Sequence, residues 1–202
     1  MTQVTEAPPA REAEPRARIV ATAERLFREI GFQKTTVADI ARELRMSPAN
    51  VYRFFGSKAE IHVAVARQLM GEVEAAARRI AHGGGPAAAR LRALVSCLET
   101  MNADRYIADR KLHDMVEAAL DQHWPAIEEH IDRIDALFEA VIASGMAGGE
   151  FAPGDARLAA KLVHTCCIRF CHPRLMVECA DRPEPSSAQM VDFCLAALRR
   201  GV

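Results

Sequence analysis

Aromatic residues are scarce in this chain: one Trp, two Tyr and eight Phe make up 5% of it. Long apolar runs are missing too. Nothing approaches the roughly 18 residues of a membrane span, so no membrane partner is expected. The N-terminal stretch MTQVTEAPPAREAEP lacks the apolar segment of a secretory leader and is rich in Pro and Glu; residues 1–14 read as a disordered tail. Enzyme signatures are absent as well. There is no Gly-x-Ser-x-Gly, no Gly-x-Gly-x-x-Gly behind a strand and no His-Glu-x-x-His. None of the seven His has Glu three residues before it, as a di-iron carboxylate bundle requires. These absences point away from an enzyme, and no cofactor is expected. The six Cys show no Cys-x-x-Cys pair and, in a chain expected in the cytoplasm, read as thiols rather than a disulfide framework.

What the chain has is helical periodicity with helix punctuation. The stretch Thr35 to Lys58, TTVADIARELRMSPANVYRFFGSK, is the most informative. Val37, Ile40, Ala41 and Leu44 recur at 3.6-residue spacing, which predicts a helix over 37–44. Thr36 stands at its N-cap, with Asp39 three residues on to meet the positive helix end. After a break at Arg45 and Met46, Ser47 is a second N-cap and Pro48 suits the first helical position, where its missing N–H was unpaired anyway. This second helix spans 48–55, with Val51, Phe54 and Phe55 inward, and Gly56 ends it. Ser57 to Glu60 is a capping box opening the next helix. Helix, short turn, short helix is the outline of a helix-turn-helix, whose second helix enters the DNA major groove.

Charge distribution supports this. The net charge is −1, yet residues 11–58 hold ten Lys and Arg against six acids. A basic head on an acidic body suits a phosphate-binding module joined to a solvated domain. A helix over 15–30, with Ile19, Ala23, Leu26, Phe27 and Ile30 on one face, backs the helix-turn-helix. Arg11, Arg16 and Arg18 either form an arm toward the duplex backbone or a solvated helix end. Beyond residue 58 the periodicity predicts helices near 58–81, 86–101, 103–120, 123–145, 155–180 and 187–200. The run from His82 to Pro86, with three glycines between them, breaks the pattern after the first of these. The fold class is all-α, with about nine helices.

The wording GFQKTTVADIARELRMSPANVYRFFGSK, within a match from Pro15 to Ile61, resembles the signature of the tetracycline-repressor (TetR) family of one-component transcriptional regulators. The resemblance implies an N-terminal three-helix DNA-binding unit, 15–60, and a helical domain for ligand sensing and dimerisation, 61–202. It implies a cytoplasmic, nucleoid-associated homodimer, most often a repressor, released from an inverted-repeat operator in double-stranded DNA by a small molecule. The effector expected is hydrophobic or aromatic. Aligned with the family pattern, Thr36, Tyr52 and Lys58 fall at phosphate contacts, and Ser47, Pro48, Ala49, Asn50 and Arg53 lie on or beside the exposed recognition face. Asn50 has the chemistry to read adenine and Arg53 guanine. Many members carry Gly where this chain has Arg45, which either contacts phosphate or marks another turn geometry.

In the body, Met70, Met101, Tyr106, His113, Met115, His123, Trp124 and Phe138 are the candidate effector lining; the alternative for each is core packing. The family architecture makes the last two helices the dimer surface, with Leu158, Leu162, Phe170, Met190, Phe193, Cys194, Ala197 and Leu198 as its apolar faces. His164, Cys167 and Cys171 share one helical stripe, with Cys166, His172 and Cys179 nearby. That stripe permits a metal- or redox-responsive regulator as the rival reading, and a helical adaptor that has lost DNA binding is a third.

Overall fold

The computed structural model describes residues 10–107, 109–122, 124–182 and 184–201. Among these residues there is no strand. Ten α-helices follow one another: α1 (Ala10–Ile30), α2 (Val37–Glu43), α3 (Pro48–Tyr52), α4 (Lys58–Ala81), α5 (Ala87–Asn102), α6 (Arg110–Asp121), α7 (Pro125–Ala147), α8 (Ala156–Cys171), α9 (Pro173–Glu178) and α10 (Ser187–Arg200). A π-helical turn, Ala103–Ile107, separates α5 from α6. No described helix is long and apolar enough to cross a membrane. The chain divides into two compact units between Gln68 and Leu69, inside α4, whereas 60/61 was the expected boundary.

The first unit packs α1, α2, α3 and the start of α4 around Ile19, Phe27, Ile40, Val51, Phe55 and Ile61, all essentially free of solvent. Each such side chain contributes about 1.5–3 kcal/mol on leaving water. Helix α1 begins five residues ahead of the expected Pro15, so residues 10–14 are helical where a disordered tail was expected. Residues 1–9 of that tail lie outside the described residues. Ile30 is 42% exposed and takes no part in the core; Gly31 follows it with φ +93° and turns the chain away.

The second unit wraps α5, α7, α8 and α10 around Leu91, Leu94, Phe138, Val141, Ile142, Ala159, Cys167 and Leu195. Where one helix was expected over 155–180, there are two. Pro173 disfavours helical φ/ψ at the residue before it, and His172 is extended at φ −88°, ψ 119°, ending α8 and leading into α9. The expected breaker from His82 to Pro86 is the exposed link from α4 to α5. The N-terminus of α5 has no cap of its own, since Pro86 precedes it. Glu150 supplies one instead: its carboxylate accepts from the Ala87 and Ala88 N–H groups at 2.7 and 3.1 Å, and those bonds hold its pKa below the usual carboxylate range. Arg90 then donates to the Ala81 carbonyl and the Ser144 hydroxyl, both at 2.7 Å.

Candidate nucleic-acid interface

Helix α2 starts on a reciprocal capping box. Thr36 Oγ1 accepts from the Asp39 N–H at 3.1 Å, and Asp39 Oδ2 accepts from the Thr36 N–H and hydroxyl at 2.9 and 2.6 Å. Arg42 donates to the other carboxylate oxygen at 2.7 Å. The Thr36 bonds, then Arg42, hold Asp39 down at about 2. Both Thr36 donors are thereby engaged within α2, so its capping role is satisfied locally.

The turn into α3 carries an unusual residue. Leu44 is the C-cap of α2, and Arg45 follows at φ +54°. The Met46 N–H reaches back to the Ala41 carbonyl at 2.8 Å and the Arg45 N–H to the Arg42 carbonyl at 3.1 Å. This is the Schellman arrangement, whose left-handed position usually falls to Gly. Arg45 therefore takes the left-handed position with a side chain the position does not favour, and that side chain is exposed.

Helix α3 begins with Ser47 accepting from the Asn50 N–H at 3.2 Å and Pro48 at its first position. Val51 is fully buried and Phe55 nearly so, which turns the opposite side outward. Pro48, Ala49, Tyr52 and Arg53 are exposed and Asn50 half-buried, Tyr52 at 49%. Helix α3 proper ends at Tyr52, three residues short of the expected Phe55, with Arg53 as its cap. Lys58, at the start of α4, donates to the Gln33 carbonyl at 2.8 Å. The Ser57 hydroxyl caps that helix by accepting from Glu60 N at 3.2 Å, while the Glu60 carboxylate returns to the Gly56 N–H at 2.9 Å. All nine expected contact residues thus lie between Thr36 and Lys58 on the short helices and their turns.

The supporting roles of two residues, Arg16 and His62, escaped the sequence reading. Arg16 points inward: it donates to the Phe54 carbonyl and lies 4.2 Å over the Phe55 ring, so it clamps the end of α3 instead of serving an arm. Arg18 is exposed, and the Arg11 side chain lies outside the described residues. His62 sits edge-on to Phe27 and Phe32, with ring centroids 5.2 and 5.3 Å away. Its Nε2 is shielded from solvent and unpartnered. Burial, with the Lys58 charge second, pushes its pKa down to about 4.

In the second unit the expected lining scatters. Met115 and Phe138 are core residues, Phe138 stacked on His164 at 5.3 Å. Met70 and Met101 are half-buried, Met101 packing on the core. Trp124 donates to the Gln122 side chain at 3.1 Å. His113 Nε2 lies 3.7 Å from Glu117, and its Nδ1 is shielded and without a partner. His123 and the Tyr106 side chain lie outside the described residues. Of the expected dimer face, Leu158, Leu162 and Phe193 are 50%, 45% and 68% exposed, with Met190 and Ala197 half-buried. Phe170, Cys194 and Leu198 are instead buried in the chain's own core. The His164–Cys167–Cys171 stripe does not form a ligand set. His164 Nδ1 bonds Asp135 at 2.5 Å, Cys167 neighbours Cys194, and the Cys171 carbonyl accepts from buried Asn102 at 2.6 Å. Among the described residues no group of His, Cys, Asp and Glu is placed to hold a metal ion.

Comparison with known proteins agrees with this layout. Residues 19–65 match the model of bacterial regulatory proteins of the tetR family, and residues 87–191 match that of the tetracyclin repressor-like C-terminal domain. The HTH-type transcriptional regulator HbdR of Aromatoleum sp. (strain CIB) is 42% identical over 48 residues, 24% of this chain and 21% of that relative. The chain matches only about a fifth of that relative's length. A TetR-family transcriptional regulator from Pectobacterium atrosepticum superposes with TM-score 0.68 at 20% identity, covering 95% of this chain and 94% of the other. The transcriptional regulator FadR from Bacillus subtilis, solved in complex with stearoyl-CoA, superposes with TM-score 0.62 at 17% identity over 92% and 98%.

Proposed function

Because the chain belongs to the TetR family of DNA-binding transcriptional regulators, we propose that it is a homodimeric repressor released from an inverted-repeat operator by a small molecule. The observation that carries this is the outward side of α3 and its cap: Pro48, Ala49, Tyr52 and Arg53 are exposed and Asn50 half-buried, beside a buried Val51. Tyr52 and Lys58 hold phosphates and set register, while Asn50 and Arg53 read base edges. Arg45 adds a phosphate contact from its turn. One five-residue helix meets too few bases for specificity, whereas two on a two-fold axis read half-sites a helical turn apart. The exposed Leu158, Leu162 and Phe193 of α8 and α10 supply the apolar face for that pairing.

The effector reading centres on α6 and the α8–α9 break. His113 of α6 and His172 at the α8–α9 break each carry a shielded, unpartnered Nδ1; His113 Nε2 lies 3.7 Å from Glu117, which Arg174 binds at 2.8 Å, and Met115 of α6 and Met176 of α9 are buried. That mix of apolar surface and a few polar atoms suits a largely hydrophobic molecule with one polar group. Effector and DNA weaken each other's binding by the same factor. The cytoplasm is the compartment this reading requires.

The test is selection of genomic fragments by the purified protein at stated salt, followed by sequencing. Enrichment of one inverted repeat, lost uniformly across sequences in Tyr52→Ala and Lys58→Ala but with relaxed base preference in Arg53→Ala, is expected. Recovery of no sequence above the non-specific background would overturn the repressor reading in favour of a helical adaptor.

A further inference from the structure

Arg16 stands on the buried side of α1. It shares a helical face with Val20, Ala23 and Phe27, all of them buried, whereas Arg18, off that face, is exposed. The half-buried Arg16 guanidinium makes two contacts at once. It lies over the Phe55 ring, 4.2 Å from the centroid, and it donates to the Phe54 carbonyl. Those two residues follow directly on Tyr52 and Arg53, the exposed end of α3 and its cap. A helix of five residues is far below the length, about 12–15 residues, at which a helix holds itself in water. The direction of α3 therefore depends on how its two ends are fastened. Ser47 caps the start. At the far end the last carbonyls of a helix have no partner within it. There the Phe54 and Phe55 N–H groups return to the Val51 carbonyl at 2.9 and 3.1 Å, and Arg16 of α1 takes the Phe54 carbonyl.

We infer that Arg16 is a positioning residue for operator recognition: from α1 it fixes the end of α3, and with it Tyr52 and Arg53, without touching DNA itself. The inference rests on the reading of α3 as the recognition helix. A planar guanidinium can donate from its edge while its face covers a ring, whereas the ammonium of Lys is a compact point charge. Binding contacts need their geometry held to about 0.5 Å. Attraction to phosphate is indifferent to sequence and tolerates a displaced helix. A loosened α3 therefore loses discrimination between sequences before it loses general attraction to the duplex. A phosphate-binding arm would behave in the opposite way. Any cation would serve there, and its removal would flatten the salt dependence of binding.

The experiment compares the full-length protein with Arg16→Lys and Arg16→Gln. Hydrogen exchange is read first, without DNA. Peptides over 48–57 should exchange about tenfold faster in both variants, the loss expected of one charge-assisted hydrogen bond, while those over 19–44 keep their rates. Two DNA probes follow: the inverted repeat enriched by the unmodified protein, and a random-sequence duplex of equal length. Both variants should lose about tenfold in affinity for the repeat, with affinity for the random duplex and the salt slope unchanged. Full recovery in Arg16→Lys, with the slope in Arg16→Gln lower by about 0.9 per protomer, would make Arg16 a phosphate contact and overturn the proposal. Unaltered exchange over 48–57, or equal losses on both duplexes, would overturn it as well. In the unmodified protein the Arg16 δ protons should resonate upfield under the Phe55 ring current; ordinary shifts there would sink the clamp even if a variant failed to fold. Enrichment of no sequence would end the repressor reading and the recognition role with it, while exchange and ring-current shifts, which involve no DNA, still decide the clamp.

Discussion

Arg45 occupies the left-handed position of the α2 cap at φ +54°, where a side chain costs about 1 kcal/mol relative to Gly. Arg45→Gly is therefore expected to raise the stability of the first unit by about that amount, measured by urea unfolding, while weakening operator binding and flattening its salt dependence. Higher stability with unchanged DNA affinity would leave the arginine without the phosphate role. His62 makes a second residue-scale prediction. Its folded-state pKa is about 4, against 6.5 for the unfolded chain, so protons favour the unfolded state. Its stabilising contribution is complete above pH 6.5 and is lost as pH falls from 6.5 toward 4. His62→Leu should lose this part of the pH dependence of unfolding; the same slope in both proteins would refute it. Asp39, held near 2, acts lower, its capping contribution fading only as pH drops from about 4 to 2.

Among the elements, the starts of α2, α3 and α4 were readable from sequence because caps are local, whereas α1 begins earlier and α6 later than the periodicity places them. Thr36, Ser47 and Ser57 each bond an N–H three residues ahead, and period plus cap chemistry is enough to place them. The recognition face was legible for the same reason: once Val51 and Phe55 are inward, Tyr52 and Arg53 must face out. Partners distant in sequence were not legible. Nothing in the local pattern says that Arg16 meets Phe54, that His164 meets Asp135, or that Glu150 caps α5. Likewise a single periodic face over 187–200 gives no hint of whether Cys194 and Leu198 serve their own core or a second copy. The α5–α7 contact offers an element-scale test. A Cβ on Gly145 would lie 2.3 and 2.4 Å from the Phe151 ring and 2.9 Å from the Ala87 Cβ. Gly145→Ala should therefore destabilise the second unit by about 1–3 kcal/mol through overpacking, seen as a lower Tm; an unchanged Tm would show that Phe151 moves aside freely.

At the scale of the whole molecule, the apolar residues left outside form the testable surface. Phe193 is 68% exposed, so Phe193→Asp should leave folding of the single chain nearly unchanged, yet shift sedimentation from dimer to monomer and abolish cooperative operator binding. A dimer that persists would assign pairing to another face. The second unit also holds a junction that does not depend on the covalent chain. Glu150 and Arg90 fasten the start of α5 and the end of α4 from outside, while His82 to Pro86 lies exposed. The glycine run there is consequently the place where the polypeptide can be lengthened. Doubling such a loop costs only about 0.6 kcal/mol, so a short Gly-Ser insert between Gly84 and Gly85 should leave Tm and DNA binding nearly intact. A reporter module spliced into that bend would ride on the regulator without rewriting what the regulator recognises.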